Sequence, residues 1–387
     1  MIDYVFSSTS DWSWLTFFLY YFISTIVVSL CKMGKGYQMC RKKGVNQLVI
    51  VNRKDNVLPF FIAYIILVLL ATVRSNMVGS DTFKYVETFL YTDSQNLKNF
   101  DWSKLFSFYQ TEPVYLLFNI VVRSYTDNYH VFFLCLYSML AAAYILFIRH
   151  FLRKNMNTSF LKLFIVFYVA NMSGMRSALA TIPLLLSIIS LDNGKYKISI
   201  LFSVMAILCH YTMLYNLFVI ASVTLVKKFK SVQSAPIILI AILITSVVSV
   251  VGSSSLLGIF AETKYSFYTE TASEMTFGGS MVYVIFALFV LSLFKTINNN
   301  TNFQILLYIC ILFLISYPFL YITGAYRIPN YYALPRLIIW CVIITWLCTK
   351  YARHKLLISV GSEVIVFAYM LLRFYKSALD GYFEYVI

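Results

Sequence analysis

Long apolar stretches alternate along this chain with short polar connections, and the sign of charge in those connections alternates too. A helix rises 1.5 Å per residue, so about 20 apolar residues cover a hydrocarbon core of about 30 Å. Trp14–Leu30 fits such a crossing and is followed by Lys32, Lys35, Arg41, Lys42, Lys43, Arg53 and Lys54 against Asp55 alone. Basic connections face the cytoplasm, which puts this one inside and the acidic N-terminal stretch, with Asp3 and Asp11, outside. That acidic start, with no small-residue cleavage site after the apolar run, predicts a retained span rather than a removed signal peptide. Val57–Val73 then leads outward to an acidic outer loop, 74–128, and Tyr129–Ile148 leads inward to Arg149, Arg153, Lys154 and Lys162. Inside that loop Val114–Val122, following Pro113, is too short to cross and would invert the charge sides. It predicts a helix lying on, or dipping into, the outer leaflet.

The next two apolar regions, Leu161–Leu191 and Ile198–Val226, carry basic residues at both ends. Two ends on one side require an even number of crossings, so each predicts a hairpin of two short helices. The second would measure about 43 Å as one continuous helix, too little for two full crossings. The turns, Asn171-Met-Ser-Gly-Met-Arg176 and Cys209-His-Tyr-Thr212, therefore lie below the outer surface, where broken backbone is tolerated only against protein or a cavity. Ala235–Val251 outward, a second outer loop at 252–280, Met281–Phe294 inward, Phe303–Tyr321 outward, Leu334–Thr349 inward and Leu356–Leu372 outward complete the pattern. The reading is an all-α, polytopic membrane protein of about twelve transmembrane helices, with residues 1–387 forming one transmembrane domain.

Composition agrees: 60% of the 387 residues are hydrophobic and 12% charged, about half the charge of a soluble domain. The net charge of +15 would suggest nucleic acid in a soluble protein. Sorted by side it does not: the inner connections hold most of the Lys and Arg against Asp55 and Asp192, while the outer side is close to neutral. No nucleic-acid partner is expected. The seven cysteines fall in spans or inner connections, which excludes a disulfide framework, and no Cys/His spacing suggests a metal site.

Candidate chemistry lies among outer charges that break the topology rule. These include Arg74, Arg123, Arg176, Arg327, Arg336 and Arg373, whereas the inner side uses mostly Lys. A guanidinium holds phosphate through paired hydrogen bonds, while a topology signal needs only charge; the alternative for each is an interfacial side chain reaching for water. Arg74 and Arg176 stand out because both sit beside glycine in polar turns at helix ends. Arg74-x4-Gly79-x-Asp81-Thr82-x2-Tyr85-x3-Phe89 places Asp81 to cap a helix presenting Tyr85 and Phe89 on one face. Further patterns are Thr111-Glu112-Pro113-x-Tyr115, Asn171-x-Ser173-Gly174-x-Arg176, His210-x-Thr212-x-Leu214 and Arg327-x3-Tyr331-Tyr332. His210 is either a general base or a hydrogen-bonded packing residue, Asp81 a base or a helix cap, and Glu112 a base or the partner of an arginine. Tyr109, Tyr265, Tyr268 and Tyr331 stand in outer loops, where an aromatic ring either joins the interfacial belt or stacks on a ligand. Glu363, within a span, reads as an ion-pairing or polar-packing residue.

In this order, between these spans, the motifs resemble the EpsG-type members of the Wzy polysaccharide polymerases, over roughly Val73 to Tyr332. Ser177 stands where many relatives carry a polar amide, and the Arg327 pattern matches loosely. The resemblance implies a GT-C-like, metal-independent membrane glycosyltransferase without cofactor, at the outer face of the bacterial inner membrane. It implies two undecaprenyl-diphosphate-linked glycans as donor and acceptor, and a partner protein that sets chain length. Arg74, Arg176 and Arg327 would bind diphosphate, His210, Asp81 or Glu112 would act as base, and Tyr85, Tyr115, Asn171 and Tyr331 would contact substrate. The rival readings are a lipid-linked oligosaccharide flippase, an O-antigen ligase and a membrane acyltransferase.

Overall fold

A computed structural model describes residues 14–36, 38–41, 48–51, 54–74, 79, 81–92, 112–228, 303–312 and 328–379. The second outer loop, the spans expected at 235–251 and 281–294, and Arg327 lie outside the described residues, as do Tyr109, Tyr265 and Tyr268. The described chain is overwhelmingly helical: α1 (Trp14–Gly34), α2 (Val57–Thr72), α3 (Thr82–Tyr91), α4 (Pro113–Arg123), α5 (Tyr129–Phe151), α6 (Phe164–Ser173), α7 (Met175–Asp192), α8 (Tyr196–Cys209), α9 (Tyr215–Lys228), α10 (Ala333–Lys350) and α11 (Lys355–Leu379). Residues 304–312 are also helical, and Ile328–Tyr331 forms a single helical turn. One departure from an all-helical chain is an antiparallel ribbon, β1 (Gln38–Arg41) with β2 (Leu48–Val51), paired from Gln38↔Val51 to Arg41↔Leu48. The β-branched run Val-Ile-Val in β2 favours extended backbone.

Among the described residues five helices are long and apolar enough to cross a membrane: α1, α5, α7, α10 and the last helix, Ala352–Tyr375. The protein is a polytopic membrane protein. Between these come shorter apolar helices, including α2, α4, α6 and α8. At 14 residues α8 is about 21 Å long, and the 11 residues of α4 give about 16 Å, too short to cross.

The chain divides into two compact units, 1–92 with 126–178 and 340–387, and 93–125 with 179–339. In the first, α5 is the central post, with Phe132, Phe133, Leu136, Tyr137, Leu140, Phe147 and Ile148 fully buried. Helix starts follow side-chain caps: Asn56 accepts from the Leu58 amide and Asn128 from the His130 amide. At one end of this unit Asp55 joins Lys35 Nζ (2.9 Å) and Arg149 Nε (3.2 Å), three residues that sidedness by charge places together on the inside. Glu363 meets Lys162 Nζ at 2.7 Å and the Ser159 hydroxyl at 2.9 Å, so its role is ion pairing, as the sequence suggests. In the second unit α4 packs on α8.

Candidate functional site

The polar breaks expected inside the two apolar regions are present, and each gathers side chains named above as candidates. In the first unit the break falls at Gly174, between α6 and α7. The last carbonyls of a helix have no partner within it, and the Met172 carbonyl accepts a hydrogen bond from the Tyr137 hydroxyl (2.9 Å). His130 Nδ1, seven residues earlier on α5, lies 3.0 Å from the Thr72 carbonyl at the end of α2. The break therefore sits about 10 Å along α5 from that level.

Arg74 enters this region from the end of α2 and is only 3% exposed. Its Nη2 donates to the Tyr137 hydroxyl at 2.7 Å, and its guanidinium carbon lies 4.7 Å from the Phe133 ring centre and 4.9 Å from that of Tyr137. Gly79, at φ +103°, carries the chain onto the break: a Cβ there would stand 3.2 Å from Ser173 Cα and 2.7 Å from Thr82 Oγ1. Asp81 holds the N-cap position of α3, with its amide 3.4 Å from Ser173 Oγ. Contrary to the capping role read from the sequence, its carboxylate makes no cap hydrogen bond. Its backbone, at φ −106° and ψ −5°, is helical rather than extended, so the side chain is not turned toward the first amides.

Helix α3 presents one face as expected, with Thr82, Val86 and Phe89 buried and Tyr85 beside them. Phe89 stacks on Phe132 with ring centres 4.6 Å apart. Tyr85 reaches Arg176, in the first turn of α7, whose Nε donates to the Tyr85 hydroxyl at 3.4 Å with the guanidinium 5.7 Å from the ring. Arg176 is half-buried where Arg74 is enclosed. Asn171, also in this unit, donates from Nδ2 to the Tyr144 hydroxyl at 3.0 Å.

The second unit holds the other break. His210 is extended (φ −161°, ψ 118°) between α8 and the short 3-10 turn Tyr211–Leu214. Its Nδ1 lies 2.9 Å from Glu112 Oε1, and the Glu112 residue is 0% exposed. Glu112 precedes α4 without capping it by its side chain, so this carboxylate faces the imidazole 98 positions away. Buried carboxylates need such partners, because an uncompensated charge away from water is costly. The Tyr331 ring meets the imidazole edge-on, centres 6.4 Å apart, and its hydroxyl is 3.5 Å from Thr212 Oγ1. Tyr331 is 7% exposed and Tyr115 is fully buried in α4, so both rings are enclosed within the protein rather than set out on a surface.

The structure thus joins Arg176 with Tyr85, Asp81 with Ser173, and His210 with Glu112 and Tyr331. Sequence reasoning missed Tyr137, Tyr144 and Asn216, and named Tyr332 in a pattern without giving it a role. The tyrosines were hidden among 31 of their kind; Asn216, an amide inside an apolar run, carried a readable signal. Among the described residues no three His, Cys, Asp or Glu side chains form a group that could hold a metal ion, and the six described cysteine thiols are free.

Comparison with known proteins returns no similar curated protein and no similar solved structure. One family model matches, over residues 57–387, which includes both helix breaks and every polar group described around them; the chain belongs to the EpsG family.

Proposed function

We propose that this protein is a membrane polysaccharide polymerase acting on undecaprenyl-diphosphate-linked repeat units at the outer face of the bacterial inner membrane. It transfers the growing glycan from its lipid carrier to the non-reducing end of a new unit. Membership of the EpsG family supports a polymerase-like role. The observation that carries the reading to chemistry is the buried Glu112 carboxylate at 2.9 Å from His210 Nδ1. An imidazole that donates from Nδ1 to a carboxylate has a fixed orientation and presents Nε2 as its acceptor.

In the proposed reaction an acceptor sugar hydroxyl bonds to the anomeric carbon of the donor glycan while the bond from that carbon to the diphosphate oxygen breaks. The hydroxyl proton passes to His210, and undecaprenyl diphosphate leaves as an anion. Arg176, less buried than Arg74, holds that anion, since a guanidinium offers a planar fork to phosphate oxygens. Arg74, enclosed by Tyr137 and Phe133, supplies fixed positive charge and shapes the break. Tyr85 positions Arg176. Oriented donors at the departing charge stabilise the transition state without reorganising.

Deletion of the gene tests the reading. A polymerase predicts that surface glycan collapses to single repeats on their lipid anchors. Long lipid-linked chains that never reach their final anchor would indicate a ligase, and loss of all outer lipid-linked glycan would indicate a flippase. Within the polymerase reading, Arg176→Lys should remain in the membrane and form no polymer; near-normal chain length would remove Arg176 from the diphosphate role.

A further inference from the structure

A few residues along the chain from the His210 turn, Asn216 anchors a buried polar network that the reaction does not use directly. Asn216, in the first turn of α9, is 0% exposed. Its Nδ2 donates to Ser203 Oγ of α8 (2.8 Å) and to Ser187 Oγ of α7 (3.3 Å), and its Oδ1 accepts from the Tyr332 hydroxyl (2.7 Å). Ser199 Oγ donates to the Ser187 carbonyl (2.9 Å) and Ser203 Oγ to the Ser199 carbonyl (2.8 Å), so α7 and α8 are tied by the same network. One amide thus fastens three helices to the chain segment just after Ile328–Tyr331. All of these residues belong to one compact unit.

Packing hydrophobic helices together does not need this arrangement. A buried amide is stable only when its hydrogen bonds are met, and a partly met network is worse than none. What the network fixes is the position of Tyr332, and its chain neighbour is the tyrosine whose ring meets the His210 imidazole and whose hydroxyl lies near Thr212. We infer that Asn216 and Tyr332 are positioning residues: through their hydrogen bond they hold Tyr331 against His210, and so help set the imidazole in its reactive placement. This rests on the polymerase reading with His210 as base. Misplacing a reacting group by about 1 Å can lower a rate up to about 100-fold, so loss of one hydroxyl of this clamp should be visible in turnover.

The test uses the full-length protein in lipid nanodiscs with a synthetic undecaprenyl-diphosphate-linked repeat unit as donor and acceptor. Turnover and KM are measured for wild type, Tyr332→Phe, Asn216→Ala, the double variant and His210→Ala. Tyr332→Phe keeps the ring and its apolar contacts, so it guards against an unfolded Asn216→Ala. The expected result is kcat lowered about tenfold in Tyr332→Phe with KM within about twofold, and a double variant no slower than Asn216→Ala, because both act through one bond. Wild-type kcat in Tyr332→Phe overturns the inference, as does a fall in activity carried by KM alone or a double variant whose losses multiply. If wild type itself makes no polymer the polymerase reading fails instead, and if His210→Ala is fully active the assignment of His210 as base fails.

Discussion

Glu112→Gln tests the proposed base most directly. The replacement keeps the size of the side chain and an oxygen able to accept from Nδ1, and removes the charge. Glu112 is fully buried and its oxygen lies 2.9 Å from the imidazole nitrogen, so solvent does little to screen the loss. A hydrogen bond to a charged group is worth about 1.5–3 kcal/mol. If that support is realised mainly as the imidazole takes up the acceptor proton, the loss appears in the rate. At about 1.4 kcal/mol per decade, kcat should fall roughly 10- to 150-fold. KM for the lipid-linked substrate should hold, because the missing charge acts at the proton and not at the diphosphate. The assay is chain formation by the protein in nanodiscs, followed as a product ladder by gel or mass spectrometry, with thermal unfolding measured beside it. A Glu112→Gln variant that folds like wild type and turns over at the wild-type rate would refute the idea that this carboxylate supports the base.

Three further changes probe the surrounding structure. Burial raises the Asp55 carboxyl, but hydrogen bonds from Lys35, Arg149 and the Gly36 amide outweigh it and hold its pKa below the ordinary carboxylate value. A carboxylate depressed in this way stabilises the fold above its unfolded pKa of about 3.9, and that contribution is lost as pH falls through the folded value. Asp55→Asn should therefore cost about 1.5 kcal/mol at neutral pH, and its Tm in detergent should approach that of wild type below about pH 4. Gly79→Ala places a Cβ in left-handed backbone, 3.2 Å from Ser173 Cα; an expected loss of about 1–2 kcal/mol in thermal unfolding should come with reduced polymer. Glu363→Gln weakens the tie from α11 to Lys162 and Ser159 and should lower Tm while leaving polymer length unchanged, because that carboxylate has no part in the sugar chemistry.

The helix starts at Trp14, Val57 and Tyr129 were legible because local signals set them: an apolar run, and for the last two an asparagine whose side chain meets an early amide. Both helix breaks were legible for a different reason, since charge at both ends of too short an apolar run leaves no other solution. The ribbon 38–51 was not, because its basic residues were read only as a topology signal. Nor was the pairing of Glu112 with His210, since each was weighed alone as a base and their 98-residue separation leaves no local trace. The Asp81 cap failed on backbone geometry: the residue type and position suit a cap, but the chain is turned by Gly79 to dock on Ser173 before the helix begins.

Two arginines that count equally toward the net charge are held in very different ways, and the difference bears on which one a diphosphate can engage. A guanidinium withdrawn from water needs its charge compensated. For Arg74 the faces of Phe133 and Tyr137 contribute, each worth about 0.5–2 kcal/mol, together with a 2.7 Å hydrogen bond to the Tyr137 hydroxyl. That hydroxyl in turn meets the Met172 carbonyl, so moving Arg74 toward a ligand would break a chain of contacts that closes the end of α6. Arg176 is held differently: its Nε donates to the Tyr85 hydroxyl at 3.4 Å, and the residue is half-buried where Arg74 is enclosed. A bond of that length is weak, and a charge-assisted one to a phosphate oxygen is stronger. Arg176 also sits in the first turn of an 18-residue helix, where the backbone dipole favours an anion. On the proposed reaction we therefore expect Arg176, the less buried of the two, to meet the departing diphosphate, and Arg74, enclosed beside the break, to keep that turn in shape.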